Sequence, residues 1–199
     1  MVWFIIGGCV AVALVVLLLV LTILRFNQLS LARSLCDEAK RQLIGEIRAR
    51  HALVPTFIGT LQQMTGSELS TIGLALASAE RAPFGHRGAA AENALTEAVD
   101  EAALIPPAER SVTSGRTGAQ QAEVDEEGDT TIQLLHGQLQ VLTERILAAA
   151  RFYNVNVERY HRQRMRPISR LFTRVFKPRE PFTELAGVAG GSASARDQS

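Results

Sequence analysis

Hydrophobic positions follow two patterns along this chain, one uniform and one periodic. The uniform one comes first: 23 consecutive uncharged residues, Val2 to Leu24, ended by Arg25. As a helix rising ~1.5 Å per residue the run measures roughly 35 Å, against about 30 Å for the hydrocarbon core of a bilayer. It is apolar on every face, which a soluble helix rarely tolerates, and Gly7, Gly8 and Thr22 are interruptions that membrane helices accept. The run predicts a transmembrane helix over residues 2–24. A secretory signal would carry a basic start and a much shorter apolar run. The Gly7-Gly8-Cys9 triplet sits too early for a lipoprotein cleavage site, so Cys9 reads as a small packing or lipid-facing residue.

Beyond Arg25 the pattern becomes periodic. Leu29, Ala32, Cys36, Ala39, Leu43 and Ile47 recur every three or four positions, which predicts a helix over 26–50 running on from the span. Pro55 suits a first helical position better than an interior one, so a turn is expected over His51–Val54. The next helix carries Phe57, Ile58, Leu61, Met64, Leu69, Ile72, Leu76 and Ala79 to an end at Pro83, with a kink at Gly66-Ser67. A third helix, Ala89 to Leu104, is rich in Ala and Glu and stops at Pro106-Pro107. Residues 105–129, mostly Ser, Thr, Gly, Gln and acidic side chains without apolar period, predict a flexible acidic loop.

The fourth helix has the strongest pattern. Ile132, Leu135, Leu139, Leu142, Ile146, Ala149, Tyr153, Asn156 and Tyr160 alternate spacings of three and four, a seam of coiled-coil type. Thr130 and Gln133 have capping-box spacing, and Pro167 ends or kinks the helix. A short apolar face follows at Ile168, Leu171, Phe172, Val175 and Phe176, and residues 183–199 read as a disordered tail rich in Gly, Ala and Ser. No β-type alternation longer than a few residues occurs. The fold class predicted is all-α: an N-terminal transmembrane helix continuous with a long-helix antiparallel bundle over 26–182.

Charge adds an asymmetry that the net value of +1 conceals. Glu92 to Asp129 carries a net of −8 and Arg151 to Arg179 a net of +8. Arg25, Arg33, Lys40 and Arg41 follow the span closely, and only the α-amino group precedes it. The positive-inside rule therefore puts the N-terminus outside and the bundle in the cytoplasm. Cys9 and Cys36 fall on opposite sides of a membrane boundary and make no disulfide pair.

Candidate chemistry is sparse. His51, His86, His136 and His161 have no His, Cys or acidic neighbour at ligand spacing on one helix face and read as surface or helix-end residues. Cys36 lies on the apolar stripe, as a buried inert thiol would. Phosphate-loop, H-E-x-x-H and G-x-S-x-G patterns are absent, and the run Glu123 to Asp129 does not have calcium-loop spacing. No catalytic residue, cofactor, metal or small-molecule substrate is indicated. The most informative segment is the basic one. Arg159, Arg162, Arg164, Arg166, Arg170, Arg174, Lys177 and Arg179, interleaved with Leu171, Phe172 and Phe176, form a candidate surface for anionic lipid headgroups or a protein partner. The alternative is that its apolar face packs on the bundle while the arginines are solvated or meet the acidic segment. Nucleic acid is not indicated, because the aromatics that would stack on bases fall on the helix seam.

Two stretches resemble the LemA family. Ala32-Arg33-Ser34-Leu35-Cys36-Asp37-Glu38-Ala39-Lys40-Arg41-Gln42-Leu43, followed by Arg50-His51-Ala52-Leu53-Val54-Pro55, is similar to that family's first helix and R-H-x-L-[IV]-P turn. Thr143-Glu144-Arg145-Ile146, Ala150-Arg151-Phe152-Tyr153-Asn154 and Phe176-Lys177-Pro178-Arg179-Glu180-Pro181-Phe182 resemble its T-E-x-R-I, A-R-x-x-Y-N and F-K-P-R-E-x-F segments. The likeness covers both ends of the soluble part. Between Pro83 and Thr131 the family's third helix and A-Y-P-D-L linker have no recognisable counterpart. The resemblance implies a bacterial single-pass membrane protein with a long-helix bundle and its N-terminus outside, and it implies no reaction. The expected function is that of a non-enzymatic, membrane-anchored scaffold presenting a surface to a protein partner or to a second copy of itself. The alternative is a membrane-surface binding or shaping element acting through the basic segment.

Overall fold

A computed structural model describes residues 1–65, 69–104, 119–172, 174–183 and 185. Its described elements are helices: α1 (Val2–Thr65), α2 (Ser70–Arg81), α3 (His86–Ala103), α4 (Ala119–Arg164) and a 3-10 turn over Ile168–Phe172. The chain divides into two compact units. Met1–Lys40 with Val155–Glu180 forms the first, and Arg41–Asn154 with the chain from Pro181 onward forms the second.

In the first unit, the start of α1 is the one candidate span among the described residues. Its most apolar window has a mean hydropathy of 3.2, and none of that window is buried. Where the periodic pattern begins, burial begins too: Leu29, Ala32, Cys36 and Ala39 are all at most 5% exposed, and Val157 and Tyr160 at the end of α4 are buried in the same unit.

The second unit is a four-helix cluster. Val54, Phe57 and Leu61 of α1, Ile72 and Ala79 of α2, Leu95, Val99 and Ala102 of α3, and Ile132 and Leu139 of α4 share one hydrophobic core. Cross-helix pairs run in opposite order along α1 and α4, Glu46 with Arg145 and Arg50 with Thr143, so these helices are antiparallel. All nine seam positions expected on α4 are buried or half-buried.

Three expectations are corrected. The turn at His51–Val54 is absent, because α1 continues through Pro55 to Thr65. Pro55 is exposed, so the carbonyl it leaves without a donor faces the side where water serves, while Val54 and Phe57 on the other side hold the helix by burial. Of the loop expected over 105–129, residues 105–118 lie outside the described residues, and 119–129 are helical. Gln120, Gln121, Ala122 and Glu123 are good helix formers, and extending an established helix costs far less than nucleating one. Of the tail expected over 183–199, Leu185 is buried, and residues 184 and 186–199 lie outside the described residues.

Two glycines shape the α2–α3 connection. Gly85 has φ 124°, a conformation that side chains with a Cβ rarely adopt, and it lets α3 start three residues after Pro83. A Cβ on Gly88 would stand 2.9 Å from the Pro83 carbonyl oxygen and 3.4 Å from the Phe182 ring. Gly88→Ala is therefore expected to destabilise the fold by about 1–3 kcal/mol through overpacking against rigid backbone. A lowered midpoint in thermal unfolding of the detergent-solubilised chain, followed by helical circular dichroism, is the check.

Candidate functional site

In the first unit the basic segment is built around the residue that follows Arg25. α4 ends at Arg164, Pro167 cannot extend the ladder, and the 3-10 turn closes with the Arg170 N–H on the carbonyls of Arg166 and Pro167, at 3.2 and 3.3 Å. The Phe172 carbonyl then accepts from the N–H groups of Val175 and Phe176, each at 3.0 Å. This brings two rings onto Phe26, edge to face: Phe172 at 5.5 Å and Phe176 at 5.4 Å between centroids. The returning chain is held by α4 side chains. Arg164 Nε donates to the Phe176 carbonyl at 2.8 Å, the Tyr160 hydroxyl to the Lys177 carbonyl at 2.8 Å, and the Arg179 N–H to His161 Nε2 at 3.1 Å. Arg179 also pairs with Asp37 at 2.6 Å, and Arg33 lies 6.0 Å over the Phe176 ring.

The predicted site residues thus separate by role. Phe176 is buried and Phe172 half-buried, so both hold the turn in place instead of offering surface. Arg179 is tied to Asp37. Arg162 is exposed and pairs with Glu158 along the helix at 3.7 Å. Arg159, Arg166, Arg170, Arg174 and Lys177 are exposed, and so are the apolar Met165 and Val175 beside them. Burial pushes the Cys36 thiol and the Tyr160 phenol above their ordinary ranges, against the opposing pull of Arg179 on the first and Arg164 on the second. Both stay protonated at neutral pH.

The second unit holds a buried charged cluster that the sequence reading missed. Arg50 of α1 forms an ion pair with Glu92 of α3, and both side chains are 3% exposed. Arg50 also donates to the Thr96 hydroxyl at 2.8 Å, the Thr143 hydroxyl at 3.3 Å and the Glu92 carbonyl at 3.1 Å. The other carboxylate oxygen of Glu92 contacts His51 Nε2 at 2.9 Å. His51 is therefore not a free surface residue, and His136, at 3.0 Å from Asp100, and His161 also have tertiary partners. The available signal was Arg50-His51 itself, polar residues where the apolar row continues, but their partner stands about forty positions away. A cavity of about 320 Å³ adjoins Arg50, Thr96, His136 and Thr143, and one of about 630 Å³ adjoins His51, Glu92, Phe84 and Phe182. Among the described residues no group of three or more His, Cys, Asp or Glu side chains is placed to hold a metal ion.

Nearby, Asn154 clamps the C-terminal segment by its backbone: its amide donates to the Phe182 carbonyl at 2.9 Å and accepts from the Phe182 N–H at 2.8 Å. Phe182 in turn packs on Phe84, and Phe84 on Tyr153. No protein-family model matches the chain, and no curated protein matches it.

With its charges neutralised inside the core, the Arg50–Glu92 pair fixes the register of α1 against α3, because a slide would leave two buried charges uncompensated. Arg50→Met and Glu92→Leu are each expected to cost about 3–5 kcal/mol, and the double variant clearly less than their sum. Chemical unfolding of the four proteins in detergent reads the coupling; additive losses would mean that the pair does not act as a unit.

Proposed function

We propose that the chain is a membrane-anchored, non-enzymatic helical-bundle protein of the LemA type, a scaffold or interaction module at a bacterial cell membrane. It crosses the inner membrane once, with its N-terminus outside and its bundle in the cytoplasm, as the cations that follow the span favour. The motif likeness at both ends of the soluble part supports the family assignment.

The observation that carries the scaffold reading is an exposed apolar stripe on α4. Leu134 and Val141 are 62% and 56% exposed, Ala148 continues their spacing of seven, and Phe152 is 53% exposed. These positions lie on the side of the helix away from the buried Ile132, Leu139 and Ile146. Leu134 and Val141 also border a shallow groove of about 510 Å³ with Leu53 of α1. Apolar side chains repeated in this way on a helix suit a second helix laid along them.

Orientation is tested in intact cells with a membrane-impermeant thiol reagent and Thr183→Cys, an exposed position, in a Cys9→Ala, Cys36→Ala background. Protection until lysis is expected, and labelling before lysis would reverse the topology. For the stripe, membranes are washed with alkaline carbonate, solubilised in mild detergent and sedimented. The wild-type chain should remain in the membrane and sediment as more than a monomer, and Leu134→Asp with Val141→Asp should shift it toward the monomer with helicity intact. A chain released by carbonate would refute the anchor, and a strictly monomeric, partner-free wild type would refute the scaffold.

A further inference from the structure

The segment with the highest density of positive charge is folded back to the level at which the apolar helix ends. Leu24 is the last residue of the uncharged run, and Phe26, two residues on and about 3 Å further along the helix axis, is gripped by Phe172 and Phe176. Arg170 and Arg174 are each two residues from one of these aromatics, so their Cα atoms lie at most about 7 Å from it along the chain. Arg166 opens the same turn through its carbonyl bond to Arg170. With half-buried Arg25, which donates to Gln28 at 3.1 Å, the exposed Arg166, Arg170 and Arg174 bring four arginines to the part of the chain beside the end of the apolar run, and Met165 and Val175, 61% and 58% exposed, are their neighbours in sequence. By contrast Asp37, which holds Arg179, is eleven residues past Phe26, about 16 Å along α1. Arg159 lies five residues before Arg164, the last residue of α4, and so stands roughly 8 Å back along the helix from its end, near the distance over which salt screens a surface charge.

We propose that Arg166, Arg170 and Arg174 form a lipid-headgroup site that takes the phosphodiester groups of anionic phospholipids in the leaflet where the α1 span ends. This rests on reading α1 as a membrane anchor. The depth selects the ligand. Guanidinium groups beside the last apolar turn of a span meet phosphates before they meet bulk water, and their planar donors match phosphate oxygens in pairs. Exposed Met165 and Val175 suit the boundary between headgroup and acyl chain, where an apolar side chain and a cation are both accommodated. Phe172 and Phe176 serve this site indirectly, by fixing the turn at that depth.

The test uses the full chain reconstituted in phosphatidylcholine vesicles containing phosphatidylglycerol. Val175→Trp in a Trp3→Phe background supplies a single fluorophore at an exposed position, since Trp3 is the sole tryptophan. Its quenching is compared for brominated phosphatidylglycerol and brominated phosphatidylcholine at equal mole fraction. Preferential quenching by the anionic lipid is expected, weakened by salt. Each of Arg166→Ser, Arg170→Ser and Arg174→Ser should lower the preference by up to roughly fivefold, whereas Arg159→Ser should leave it unchanged. Equal quenching by the two lipids, or a preference that survives all three substitutions together, would overturn the site while leaving the anchor intact. Failure of the chain to resist carbonate extraction from the same vesicles would instead remove the anchor and the site with it.

Discussion

One row of side chains on α1 sets the terms for the elements around it. Leu29, Cys36, Leu43, Arg50 and Phe57 are spaced by seven and each is at most 3% exposed. Four of them are apolar or a neutral thiol; the other is an arginine. A row carrying an arginine can be buried only if a carboxylate meets it, since the desolvation of an unpaired guanidinium would outweigh the neighbouring apolar contacts. Glu92 is therefore a structural requirement on α3, a helix otherwise dominated by alanine and weak in apolar patterning. Thr96 and Thr143 supply further oxygen atoms around the same guanidinium, from α3 and α4.

A second recurring device lies in the segment after α4. Chain without a helix or sheet of its own must find partners for its backbone groups elsewhere. Here α4 provides them from its side chains: Tyr160, His161 and Arg164 serve Phe176, Lys177 and Arg179, and Asn154 serves both backbone groups of Phe182.

Spacing made the helices legible. The stripe from Leu29 to Leu43 and the nine-residue seam of α4 follow from a helical period, the uniform run from its length, and each is found as a helix where the sequence puts it. What spacing does not carry is which faces meet. Arg50 and Glu92 are 42 positions apart on helices that each look complete alone, so neither signals the other. Pro55 failed as a boundary for a related reason: a local backbone rule met a helix whose other face was already held by Val54, Phe57 and Leu61. The basic segment was legible as composition, but its aromatics and cations look alike in the sequence. Only the contact with Phe26 sorts those that pack from those that remain exposed.

No loop separates the apolar run from the buried stripe; α1 passes through Arg25 as one helix. The two are consequently locked in rotational phase. At 3.6 residues per turn, each residue added or removed between Leu24 and Leu29 swings the stripe by about 100° relative to the span. The number of residues joining the two is therefore also an angular setting, and the side of the apolar run that faces a given direction is fixed by the same count that turns Leu29 and Cys36 toward their partners.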